Sequence, residues 1–347
     1  MKNTLHGKIK DCMPEGKNQA GIHPPRMIPS FAEGFQSIAN RIYIIIFPVL
    51  LDLLLWFGPL VRIREVVLPF LNRAAELSAG AYGEEGAALI AESTAAWEAI
   101  LERFNLLSLL RTFPVGIPSL LAGRGVDANP LGLAVIRDIS SSNGTVNISL
   151  GILVVGILLG CIYFSLTASA SLQTSEPVKT GNFFRQFVQI MILNIMLVGG
   201  LAILLVPLLC LMAFLLFMLP SLGTIPVILF GLALVWVLFP LAFSPHGIIA
   251  NQQNASRSAI TSMRIIRSLA GPAGIFFILA ILLSKGLNAL WLTPQTNSWM
   301  LLVGIFGHGF ISSGILAASF IYYRDGYEWI TSQLAEKENT AQPTISQ

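Results

Sequence analysis

The chain has 347 residues, 54% of them hydrophobic and 11% charged, with a mean hydropathy of +0.72, whereas soluble domains carry roughly 25% charged residues. A formal net charge of +3, scattered along the chain, provides no footprint for nucleic acid. Cys12, Cys161 and Cys210 are too few and too dispersed for a disulfide framework or a cysteine metal site.

Residues 1–29 are polar and rich in Gly, Pro and Lys, and are expected to form a mobile cytoplasmic tail. They are not expected to act as a secretory signal, because the first apolar run begins far from Met1 and spans a full bilayer. Ser30 and Glu33 have capping-box spacing, and Phe31, Phe35, Ile38 and Ile42 follow at helical intervals. This predicts a short interfacial helix turning into the first span, 42–61; the alternative is a span that begins early.

Residues 63–148 read as an extracytoplasmic helical cap, with helical periodicity at 65–77 and 85–104. Residues 105–136 are apolar but broken by Pro114, Pro118 and Pro130. Broken backbone in lipid leaves polar groups unsatisfied, so this stretch either covers the outer mouth of the bundle or dips partway in beside it. A polar linker follows at 138–147.

Five more apolar runs complete a membrane bundle over 149–323: 149–170, 187–219, 225–243, 272–292 and 299–322. Each suffices for a crossing, which takes about 20 residues. The third is overlong, and Pro207 is expected to kink it. Gly156 and Gly160 form a G-x-x-x-G spacing suited to close helix packing. Residues 324–347 are expected to be a second cytoplasmic tail. The predicted fold is therefore an all-α integral membrane protein with six transmembrane helices and an extracytoplasmic insertion between the first two.

Positive charge sets the expected orientation. Lys2, Lys8, Lys10, Lys17, Arg26 and Arg41 flank the first span, Lys179 and Arg185 lie between the second and third, and Arg257, Arg264 and Arg267 follow the fourth. These segments share one face only if both termini are cytoplasmic, as in a bacterial inner membrane. The segment 62–148, with nine acids against seven arginines, then lies outside. Arg62 and Arg64 speak against this, but long translocated segments escape the rule.

The loop 251–270 reads as a surface helix that Asn254 or Ser256 can cap. Met263, Ile265, Ile266 and Leu269 gather on one side and Arg257, Arg264 and Arg267 on another. Such a basic amphipathic helix suits anionic lipid headgroups or a cytoplasmic partner.

Charges inside a membrane are candidates for function. Asp52 in the first span and Lys285 in the fifth are expected at matched depth, where they can pair, either as part of a relay with Asn288 or as a structural lock. His308, flanked by Gly307 and Gly309, is expected to hydrogen-bond a neighbouring backbone, and His246 to make a helix-end bond. There is no nucleophile-elbow, paired-histidine zinc or phosphate-loop motif, so no catalytic residue, metal or cofactor is assigned.

Residues 47–59, Phe-Pro-Val-Leu-Leu-Asp-Leu-Leu-Leu-Trp-Phe-Gly-Pro, resemble the first span of a group of uncharacterised bacterial polytopic membrane proteins. Residues 239–323 are similar to the membrane domain found beside glycerophosphodiester phosphodiesterases, through the basic segment from Ala259 to Arg267 and the closing Tyr322-Tyr323-Arg324-Asp325. The catalytic phosphodiesterase domain has no counterpart here, so its activity is not carried over. The function expected is that of a non-catalytic multi-pass protein that interacts with membrane lipids or other membrane subunits. The alternative is a transport permease driven by a separate cytoplasmic ATPase.

Overall fold

The computed structural model describes residues 23–172, 180–219 and 225–341. Among them, five helices are long and apolar enough to cross a membrane, or six if one bent pair acts as a single span. The chain is thus a mostly helical multi-pass membrane protein. Pro25 abuts Gly326 at one end of the bundle, the terminal end. Trp56 meets Thr296 and Trp299 at the other, the insertion end. Lys2, Lys8, Lys10, Lys17, Cys12, Lys179 and the turn 220–224 lie outside the described residues.

Helix α1 (Met27–Asn40) begins before the anticipated capping box. Ser30 is buried one turn into the helix, so its hydroxyl donates back to the carbonyl of Arg26 (2.7 Å) instead of capping the start. Ser30, Gly34 and Ile38, spaced four apart, form the buried face. That face packs on the last helix. A Cβ at Gly34 would come within 2.5 Å of the Ala318 nitrogen, so only glycine permits this approach. Phe31 stacks on Phe276 at 4.9 Å.

After α1 the chain bends by 91°. A 3-10 turn, Ile42–Ile45, leads into α2 (Ile46–Phe57). The bend falls at Arg41, whose backbone (φ −134°, ψ 54°) is not helical; Pro48, which has no N–H to give to Ile44, sits in the first turn of α2, where that loss is tolerated. Turn and helix together rise about 26 Å, less than the roughly 30 Å hydrocarbon core. The crossing is complete only if α1 contributes to it. Extended Gly58 and then Pro59 end α2 four residues before the expected boundary.

The insertion leaves and returns through one neck. Strand β1 (Leu60–Arg62) pairs in parallel with β4 (Ile136–Asp138), and Arg62 makes two 2.9 Å bonds to the Asp138 carboxylate. Between them, residues Arg64–Arg103 are helical throughout (α3). Arg64 nevertheless pairs with Glu98, and a straight helix would hold them about 50 Å apart. The segment therefore doubles back, as the two separate periodicities anticipate. Strands β2 (Ala128–Asn129) and β3 (Gly132–Leu133) form a small hairpin, with Gly132 at φ +135°.

Helix α4 (Ser142–Ser171) starts earlier than expected because Ser141 caps it, accepting from the Gly144 amide at 3.2 Å. Helix α5 (Thr180–Met218) is continuous through Pro207. Helix α6 (Ile225–Leu238) gives way around Pro240 to a 3-10 turn and then to α7 (Ser244–Ala250). Helix α8 (Ala255–Ser268) lies at the terminal end, with Ile265 and Ile266 buried and Arg257, Arg264 and Arg267 exposed. Asn254 precedes it without capping it; its side chain accepts from Arg185 instead. Helix α9 (Ala270–Trp291) rises to the insertion end, and α10 (Leu301–Ala341) returns past the expected boundary at 323.

Candidate functional site: a cation-rimmed pocket

The site begins with Asp52, on α2 and fully buried. It does not pair with Lys285. Its carboxylate accepts the Ser119 hydroxyl at 2.5 Å and the amides of Leu120 and Leu121, each at 3.0 Å. Ser119 in turn accepts from the Ala122 amide at 2.9 Å. A single carboxylate therefore satisfies backbone donors that would otherwise be stranded in an apolar interior.

Those donors belong to the proline-broken stretch, which dips into the bundle. Asn105 ties its start to the neck, accepting from the Val61 and Leu107 amides and donating to the Pro59 carbonyl. Leu106, Val115, Ile117, Leu120 and Leu121 are buried. Helix α4 receives the loop on its glycines. A Cβ at Gly156 would meet the Leu110 carbonyl at 2.8 Å, and one at Gly160 the Val115 carbonyl at 2.9 Å. The G-x-x-x-G face thus admits an irregular backbone, not the second helix expected from the spacing.

Beside this loop is a cavity of about 420 Å³. The loop contributes Arg111, Ser119 and Arg124, α9 contributes Ser284, Lys285 and Asn288, and α10 contributes His308 and Ser312. Arg111, Arg124 and Lys285 are exposed, whereas Ser119 and His308 are buried, so the cations form a rim over a neutral polar floor. No carboxylate lines the cavity; Asp52 lies behind Ser119. Among the described residues none forms a salt bridge with Lys285.

His308 Nδ1 is 2.8 Å from Asn288 Oδ1, a side-chain contact where sequence reasoning expected a backbone one. Its Nε2 is buried with no partner. The Ser312 hydroxyl donates to the His308 carbonyl at 2.6 Å, not to the ring, so the two are not arranged as nucleophile and base. Among the described residues, no group of three His, Cys, Asp or Glu side chains could hold a metal ion.

The structure thus brings Lys285, Asn288 and His308 together and sends Asp52 to the loop. Sequence reasoning missed Arg111 and Arg124. The available signal was a pair of arginines enclosing twelve residues with no acid among them. His246, at the terminal end, bonds the Ser319 hydroxyl at 2.7 Å, a helix-to-helix contact. There Arg257 and Arg264, but not Arg267, line a cleft of about 450 Å³ between α8 and Tyr327–Leu334.

The chain matches no known protein family, no curated protein and no solved structure.

Proposed function

We propose that this protein is a non-catalytic, lipid-interacting component of the bacterial cytoplasmic membrane, with six crossings, both termini inside and the insertion outside. The pocket beside the loop is then its site for an anionic lipid headgroup. One observation carries this reading: Arg111, Arg124 and Lys285 rim a cavity whose wall contains no carboxylate. Three cations around a wall that holds no carboxylate, next to a low-dielectric medium, favour an anion. The neutral floor of Ser, Asn and His offers orienting hydrogen bonds and no arranged nucleophile.

Purification of the full chain with bound lipid, followed by lipid mass spectrometry, tests the assignment. The triple variant Arg111→Gln, Arg124→Gln, Lys285→Gln is expected to retain several-fold less anionic lipid than wild type. Equal retention would reject the pocket as the site. Single cysteines replacing Arg124 and Arg264, labelled from each side of the membrane, test the orientation: label reaching Arg124 from outside and Arg264 from inside is expected, and the same accessibility at both would reject the scheme.

The permease alternative draws support from the terminal-end cleft, where Arg257 and Arg264 leave room for an acidic partner surface. Co-purification of a nucleotide-binding subunit, lost on replacing both arginines, is its test.

A further inference from the structure

The open hydrogen-bonding valences of the pocket narrow the chemistry of its occupant, given that it binds an anion as proposed above. The Ser119 hydroxyl is committed as donor to Asp52 and as acceptor to the Ala122 amide. The Ser312 hydrogen is committed to the His308 carbonyl. Asn288 Oδ1 can only accept, so the proton between it and His308 sits on Nδ1. Nε2 then carries a bare lone pair, buried and unpartnered, in a residue only 4% exposed. A buried acceptor without a donor is costly, and because His308 lines the cavity a donor held there would offset that cost.

We infer that the ligand is a phosphate ester carrying a hydroxylated arm: the phosphate sits on the rim cations and a hydroxyl of the arm donates to His308 Nε2. Competing headgroups fail on one of the two requirements. A bare phosphomonoester dianion has no hydrogen to give. A choline headgroup has no N–H. An ethanolamine headgroup has donors, but its ammonium would enter among three cations. Three separate cations also suit the spread oxygens of a phosphate better than one planar carboxylate. The cavity falls in the size range of small-molecule sites.

Two sources share this chemistry, a polyol phospholipid such as phosphatidylglycerol and a soluble glycerol phosphate. The wall favours the lipid. On α9, Ile281 and Leu282, one turn before Lys285 and on its face, are 58% and 63% exposed, as expected where acyl chains lie alongside.

Native mass spectrometry of the full chain in detergent would compare phosphatidylglycerol with phosphatidic acid and phosphatidylcholine, with soluble glycerol 3-phosphate as competitor. Phosphatidylglycerol is expected to bind about tenfold more tightly than phosphatidic acid, the scale of one hydrogen bond to a buried acceptor. His308→Phe should erase that preference while leaving phosphatidic acid bound. The rim triple variant should lose both lipids, and its exposed positions keep the test valid if the histidine variant fails to fold. Equal wild-type affinity for the two anionic lipids would overturn the hydroxyl inference and leave the anionic-lipid reading standing. Binding of phosphatidylcholine as tight as that of either would overturn the reading itself. Displacement by glycerol 3-phosphate at matched concentration would uphold the chemistry and assign the soluble source.

Discussion

Helices α5 and α10 invert the rule that governs proteins in water. The most apolar stretch of α5 has a mean hydropathy of 2.8 and none of it is buried, whereas that of α10 has 1.8 and half is buried. In lipid, apolar surface gains little by leaving acyl chains for another helix, so hydropathy marks what faces the membrane. What packs is what permits close approach or forms hydrogen bonds. Helix α10 has both. Gly304 and Gly307 admit Trp291, Gly314 admits the Phe35 ring, and His308, Ser313 and Ser319 bond neighbouring side chains. On α5, Gly199 and Gly200 face open space, and Ile195, Val198, Ile203 and Val206 are exposed.

The largest effect expected from this contrast is at Asp52. Asp52→Ala strands two amides and the Ser119 hydroxyl inside the bundle, at a cost of about 3–5 kcal/mol. Thermal unfolding in detergent measures the loss, and trypsin should then cut at Arg111 and Arg124 as the loop leaves its seat. Asp52→Asn, which keeps one acceptor oxygen, should fall between the two. A variant as stable and as protease-resistant as wild type would show that the loop is held by something else.

The glycines sharpen the comparison next, because the same substitution should change sign between the two helices' contacts. Gly34→Ala pushes a methyl into the Ala318 backbone and should destabilise by about 1–3 kcal/mol. Gly199→Ala and Gly200→Ala meet nothing, and relief of the glycine penalty within a helix should stabilise by up to about 1 kcal/mol. Unfolding midpoints of the three variants in one detergent decide it. Destabilisation at Gly199 or Gly200 would reveal a partner surface on α5.

What could be read from the sequence follows the same division. The crossings were legible because about 20 apolar residues in a row have few other uses. The irregularity of 105–136 was legible in its prolines, and its burial was one of two options left open. Asp52 stood out as a lone charge, but its partners did not, since they include the amides of Leu120 and Leu121, and every residue but proline has one. The pairing with Lys285 rested on depth alone, and depth does not fix rotation about a helix axis. The span within α10 was visible, yet its extension to Ala341 was not, because the polar residues after Tyr323 carry no membrane signal. At α8 the charges were visible while the buried Ser258 and Ser262, which donate to the carbonyls of Ser244 and Pro240, looked like any surface serines.

The neck of the insertion belongs to neither helix's regime, since a partly exposed ion pair closes it, and its effect should be the smallest. Arg62 and Asp138 are partly exposed, and such a pair contributes about 1 kcal/mol at most. The hydrogen bond from Arg62 holds the Asp138 carboxyl below its ordinary value. A depressed carboxyl contributes stability that is complete above its unfolded value, near 4, and is lost as pH falls through the lower folded value. Hydrogen exchange at the Leu60 and Ile139 amides, which bond the carbonyls of Val135 and Arg62 across the neck, reports its opening once intrinsic rates are divided out. Protection should fall modestly between pH 5 and pH 3 in wild type and stay level in Arg62→Gln. An equal fall in both would place the pH response elsewhere in the insertion. If the difference holds, the neck draws on charge pairing, whereas the bundle draws on close approach at glycines and on one carboxylate that holds its loop.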